Sequence, residues 1–224
     1  MKYIKSFGNH TEYETFTGTT EFILPNVSLC KQENEVHYNP SSPVPPTPTY
    51  EYVDLGLPSG TKWATMNVGA TSVTDYGNYY QYGKGADTYQ VTSGESVYDG
   101  DEDPLATSAD TASQVWGGQW HMPTRAQMQE LTANTTYQWV ENFNGSGING
   151  ATFTANGQTL FIPAAGYAYD GSLNDVGAIG FIWSSTINTP SQDSFVFSFG
   201  EWGSYIDNEG SFTNGYSVRG VLDE

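Results

Sequence analysis

Three groups of residues in this chain have types and spacings that could do chemistry. Trp183-Ser184-Ser185 places two hydroxyls beside an aromatic ring, as around a serine nucleophile. Such a serine needs a histidine base, and His10, His37 and His121 stand in no recognisable triad context. We therefore read a core tryptophan followed by hydroxyls bonded to backbone, and His121, just before a helix start, as structural. Asp99, Asp101 and Asp103 alternate, and Asp110 falls eleven residues after Asp99, a partial imitation of a calcium loop. The glycine required at its sixth position is Pro104, so the stretch reads as a solvated acidic loop without metal. The third group is Gly200 to Gly210, where Trp202, Tyr205 and Ile206 sit among glycines and acids. Core residues would be hard to place there, whereas exposed aromatics with small polar neighbours make a binding surface.

The elements that must position these residues follow from composition and pattern. The chain has 224 residues with 25 Gly, 11 Pro and 15 % aromatics, but only 14 % formally charged residues. That mixture favours turns and short strands, with enough aromatic surface for a real core. Seven Lys plus Arg against 25 Asp plus Glu give a net charge of −18, which repels nucleic acid and anionic membrane surfaces. The single cysteine, Cys30, excludes an intrachain disulfide framework. Met1 to His10 lacks the apolar core of a secretory signal and no run is long enough to span a membrane, so assembly in a cytoplasm is expected.

Asn39 to Thr49 carries five prolines and reads as a semi-rigid linker, residues 39–49, between a small N-terminal module (1–38) and a body (50–224). In the module, the run Glu21-Phe22-Ile23-Leu24, a turn at Pro25-Asn26, and strands at Val27–Leu29 and Glu35–Tyr38 are expected. So small a module is marginal alone, which points to packing on a neighbour and to a homo-oligomer. The body opens with a hairpin, Tyr50–Leu55 and Thr61–Val68 about a turn at Leu57–Gly60. Helices are predicted over 108–115, stopped by Gly117-Gly118, and from Thr124 with Gln127 as its capping-box partner and Met128 and Leu131 buried. Strands follow at Ala151–Thr154 and Gln158–Ile162 around Asn156-Gly157, then at Gly180–Ser185, Ser194–Phe199 and Tyr216–Val221. Phe195, Phe197 and Phe199 have period two and share one face.

Five motifs recur in a familiar order: Tyr52-Val53-Asp54-Leu55-Gly56-Leu57-Pro58-Ser59-Gly60-Thr61-Lys62-Trp63-Ala64, Trp116-Gly117-Gly118-Gln119-Trp120-His121-Met122-Pro123-Thr124, Ile162-Pro163-Ala164-Ala165-Gly166-Tyr167, Trp183-Ser184-Ser185 and Ser217-Val218-Arg219. Together, over about residues 50–222, they resemble the FISUMP family (Fibrobacter succinogenes major paralogous domain), common in Bacteroidales and their phages. The resemblance implies an α+β, C-type-lectin-like fold in the version shared with formylglycine-generating enzymes, mainly antiparallel with two helices. The family's usual Arg is His121 here, which implies a missing local ion pair. The body has no cysteine and one histidine, so the oxidation chemistry of those enzymes is not expected. Ile23 to Cys30 with Val36 to Pro40 resembles an N-terminal segment of phage structural proteins.

Proteins of this version also serve as variable proteins of diversity-generating retroelements, with a diversified C-terminal stretch after a Trp-Ser-Ser-like motif. Carried over, that window is about Thr186 to Asn214. From Trp183 to Tyr216 it holds eight aromatics, seven serines and no Lys, Arg or His. The implied ligand-binding residues are Thr186, Ile187, Asn188, Asp193, Glu201, Trp202, Ser204, Tyr205, Ile206, Asp207, Asn208, Glu209 and Ser211. The expectation is a non-enzymatic adhesin on a virion surface, tail or capsid. It would bind a host-surface receptor, a glycan or outer-membrane protein, and other virion proteins through the N-terminal module, with no cofactor, nucleic acid or membrane insertion. Two alternatives remain open: a bacterial cell-surface adhesin or lectin, and a carbohydrate-active enzyme using two of the 25 acids.

Overall fold

A computed structural model describes residues 29–32, 35–38, 50–89, 102–188 and 193–224. The chain divides into two units, Met1–Thr49 and Tyr50–Glu224. In the first, β1 (Leu29–Gln32) and β2 (Glu35–Tyr38) pair antiparallel with Leu29 opposite Tyr38. The strand expected at Val27–Leu29 thus begins at Leu29. Residues 21–28 and the proline-rich stretch 39–49 lie outside the described residues.

The second unit is α+β. Its opening hairpin is as predicted but short: β3 (Tyr52–Val53) pairs with β4 (Lys62–Ala64), and Gly60 N–H closes the turn on the Leu57 carbonyl at 2.9 Å. β5 (Tyr80–Gln81) follows within the glycine- and tyrosine-rich loop. Helix α1 (Thr111–Trp116) starts later than the expected Ser108, because the Asp110 side chain caps it by accepting from Ser113 N–H at 2.8 Å. Helix α2 (Arg125–Asn134) has the predicted cap. Thr124 accepts from Gln127 N–H, the Gln127 side chain accepts from Thr124 N–H, and Met128 and Leu131 are buried.

The chain then turns into β6 (Thr136–Val140), β7 (Gly150–Ala155) and β8 (Gln158–Pro163), a three-stranded sheet in that order. Asn156 and Gly157, at φ 51° and 77°, make the two-residue turn between the last two. β9 (Tyr167–Tyr169) and β10 (Ser172–Asn174) form a small hairpin. β11 (Ile179–Asn188), β12 (Asp193–Gly200) and β13 (Gly203–Ser211) form the longest sheet. Instead of one strand over Tyr216–Val221, there are two short ones, β14 (Gly215–Tyr216) and β15 (Val221–Leu222). β14 joins β5 and β9, whereas β15 joins β4.

Every strand pair among the described residues is antiparallel. Among the described residues, the isolated bridges Gly166–Gly180 and Ile182–Ser217 are parallel and tie neighbouring sheets. β11 and β12 send buried side chains to both faces of the β11–β13 sheet. Trp183, Ile187 and Val196 enter one cluster with Tyr82, Phe212 and Tyr216. Ile182, Phe197 and Phe199 enter another with Met128, Leu131 and Phe153. Phe195 is half-buried beneath the Arg125 guanidinium, 4.2 Å from its ring centre.

Between β14 and β15 the backbone crosses from sheet to sheet and carries Arg219 into the interior. Its guanidinium donates to the Ala64 carbonyl (2.9 Å) and the Phe161 carbonyl (3.4 Å), joining β4 to β8. Burial pushes its pKa down to about 9, so it is charged at neutral pH. Arg219→Ala should remove both bonds and leave a cavity, costing about 2–4 kcal/mol. The thermal midpoint should fall by roughly 5–15 °C in a domain of this size, measured by calorimetry.

Candidate functional site

The residues singled out between Thr186 and Ser211 occupy two ends of one sheet. Register pairs Asn188 with Asp193 and Asp193 with Ser211 at one end, and Ile179 with Gly200 and Gly200 with Gly203 at the other. Seven strand steps from Asp193 to Gly200 separate the ends by roughly 23 Å. No single small ligand touches both.

The first end is largely committed to structure. Ile187 is 6 % exposed and packs in the core, so it offers no surface to a ligand; its N–H donates to Asp103 Oδ1 at 3.3 Å. Thr186 is half-buried and its hydroxyl accepts from the Arg125 N–H at 3.0 Å, fixing the start of α2. Asn188, Asp193 and Ser211 are half-buried, and Ser211 shares a hydrogen bond with Thr213 at 2.8 Å. Residues 189–192 and the side chains of Asp207, Asn208 and Glu209 lie outside what is described.

The other end presents the β12–β13 turn. Trp202 and Tyr205 are 50 % and 58 % exposed and stack on each other, ring centres 5.2 Å apart and planes at 28°. Glu201 is exposed and Ser204 half-buried beside them. Ile206 differs from expectation: it pairs with Phe197 and packs against the core, because alternation along β13 turns it inward while Tyr205 points away.

Two features hold this turn. Gly200 lies under the Trp202 indole: a Cβ at that position would meet Nε1 at 2.9 Å and the Ala178 carbonyl at 3.2 Å. The ring can fold across the strand end only because residue 200 has no side chain. Tyr137 on β6 donates its hydroxyl to the Gly200 carbonyl and packs edge-on against Phe153 at 5.5 Å. Burial pushes its phenol up to about 12. Tyr137 is absent from the sequence-derived set because β6 itself was not predicted. The period-two run Thr136-Tyr137-Gln138-Trp139-Val140 is the signal that identifies it.

The remaining groups have structural partners. Ser184 and Ser185 are buried. Ser184 Oγ accepts from Thr186 N–H at 3.0 Å, and Ser194 Oγ donates to the Ser184 carbonyl at 3.1 Å. Asp110 accepts from Ser113 and Met122 N–H groups, both at 2.8 Å, and burial raises its pKa. Both its oxygens are thus occupied by backbone, while Asp99 and Asp101 lie outside the described residues. No group of three metal-ligating side chains occurs among the described residues. His121 Nδ1 donates to the Met122 carbonyl at 2.9 Å, and Nε2 lies 3.2 Å from Asp223 Oδ2, outside hydrogen-bond geometry. His121 thus lies against a carboxylate as well as a backbone carbonyl.

No protein-family model, curated protein or solved structure matches the chain. No helix among the described residues is long and apolar enough to cross a membrane.

Tyr137→Phe frees the Gly200 carbonyl and should cost about 1 kcal/mol in urea unfolding near neutral pH. The folded-state pKa is raised above the unfolded value of 10, so this contribution is complete below pH 10 and disappears as pH rises through about 12. The stability difference between wild type and Tyr137→Phe should therefore be constant from pH 7 to 9 and shrink by pH 11.

Proposed function

We propose that this chain is a non-enzymatic adhesin whose second unit is a C-type-lectin-like binding domain and whose first unit attaches it to a larger assembly. The observation that carries the reading is the stacked Trp202–Tyr205 pair. On a sheet whose other described large apolar side chains are buried or half-buried, two aromatic rings are half out in water at a hairpin turn. An exposed aromatic pair of this kind is a typical anchor for a partner. The FISUMP-like motifs in their order, together with two helices among antiparallel sheets, support the fold reading.

The setting that fits best is the tail or capsid surface of a Bacteroidales phage, with the ligand on the host surface. Many copies on one particle convert weak single-site binding into stable attachment. The diversified window, if a retroelement acts on the gene, is about Thr186 to Asn214, and its useful positions are the exposed ones.

Trp202→Ala and Tyr205→Ala should each reduce adhesion of the displayed protein to Bacteroidales cells at least tenfold. Their thermal midpoints should stay within roughly 2 °C of wild type, since neither ring lies in the core. Normal adhesion by both variants would remove the proposed surface. Sequencing the 3′ end of the gene across its natural population should show substitutions at adenine-bearing codons for exposed positions, with Trp183, Phe197 and Phe199 kept. An even, low substitution rate would remove the diversification and leave a fixed adhesin.

A further inference from the structure

We infer that the Trp202–Tyr205 platform binds an amine-bearing saccharide, with Glu201 setting the preference for the amine; this rests on the adhesive reading of the same surface. Size is the first argument. Half-exposed, the two rings offer about 200 Å² of contact surface. A stable protein interface needs about 800 Å² per partner, so the rings match one or two sugar units and fall short of a protein face. Shape is the second. The two rings stack on each other, so each keeps one face outward, and that outer face offers the apolar side of a pyranose a flat surface on a turn whose Gly200 carbonyl is tied to Tyr137.

Charge selects among saccharides. Aromatic faces carry a negative quadrupole, and Glu201 is exposed next to Trp202 in sequence. Among the described residues from Asp193 to Glu224 the one Lys or Arg is Arg219, which is fully buried. Arg125, the exposed base near this sheet, lies on Phe195 at the opposite end, and the backbone at the start of its helix is occupied by Thr186, Thr124 and Gln127. An acidic sugar would meet an exposed carboxylate and, among the described residues from Asp193 to Glu224, no exposed Lys or Arg. An ammonium group on a sugar stacked at the outer face of the Trp202 ring would have, exposed on the same turn, Glu201, the charged residue nearest to Trp202 in sequence, in a protein of net charge −18.

The test is isothermal titration of the full-length chain with three tetrasaccharides: glucosamine, N-acetylglucosamine and galacturonate. Wild type should bind the glucosamine tetramer at least tenfold more tightly than its acetylated counterpart and give no saturable heat with galacturonate. Glu201→Gln should bring the first two within about threefold of each other, and Trp202→Ala should abolish binding to both. Equal binding of the first two by wild type, saturable binding of galacturonate, a tenfold preference surviving in Glu201→Gln, or no response to any sugar would each overturn the inference. The cell assay separates the two readings. If Trp202→Ala loses adhesion while no sugar binds, the saccharide inference falls and the adhesive surface stands. If Trp202→Ala loses sugar binding and adheres normally, the adhesive reading falls instead.

Discussion

The segment from Gly215 to Leu222 is the constraint on which the second unit depends. It pairs with β5 and β9 at Gly215, and its Ser217 carbonyl accepts from Trp183 N–H. The Val218 carbonyl accepts from Val68 N–H, Gly220 from Ala64, and Val221 exchanges hydrogen bonds with His121. Within eight residues the backbone serves two sheets directly and bonds to a third. A continuous strand could serve only its two lateral neighbours, so the break between β14 and β15 is what lets one segment join several short sheets.

Arg219 is the side-chain counterpart of that arrangement. A buried charge is costly, and it is tolerated here because the guanidinium donates to carbonyls from β4 and β8. Trp183 plays a similar part on the other side of the chain crossing. Its indole N–H donates to the Tyr80 carbonyl at 2.7 Å, and its ring packs against Tyr82 and Tyr216. With strands as short as two residues, such side-chain ties and aromatic contacts replace the long hydrogen-bonded ladders of a larger sheet.

The burial of β11 and β12 side chains on both faces shapes the candidate surface. Apolar alternation on each face fixes register, since a one-residue slip would exchange the two clusters. Among the described residues of this sheet, the large side chains most exposed are those at the turn, which is supported from the side by β6 through Tyr137. The exposed rings therefore stand on a fixed base rather than on a long loop, which lowers the ordering cost of engaging a ligand.

The local signals were legible in the sequence. The Thr124–Gln127 capping box, the Asn156-Gly157 turn and the opening hairpin each depend on residues a few positions apart, and each formed where the pattern indicated. The exposure of Trp202 and Tyr205 was also readable, because glycines and acids around them left no apolar stripe to bury. Tertiary structure decided the rest. Ile187 and Ile206 turn inward because sheet register and packing, not composition, choose the face. Asp110 moves the start of α1 and is held by Met122, twelve residues away, while Tyr137 reaches Gly200 across 63 positions. Chain separations of that size leave no mark in local pattern, which is why composition could announce exposed aromatic rings and only the fold could show that the stretch from Thr186 to Ser211 splits between two ends of a sheet.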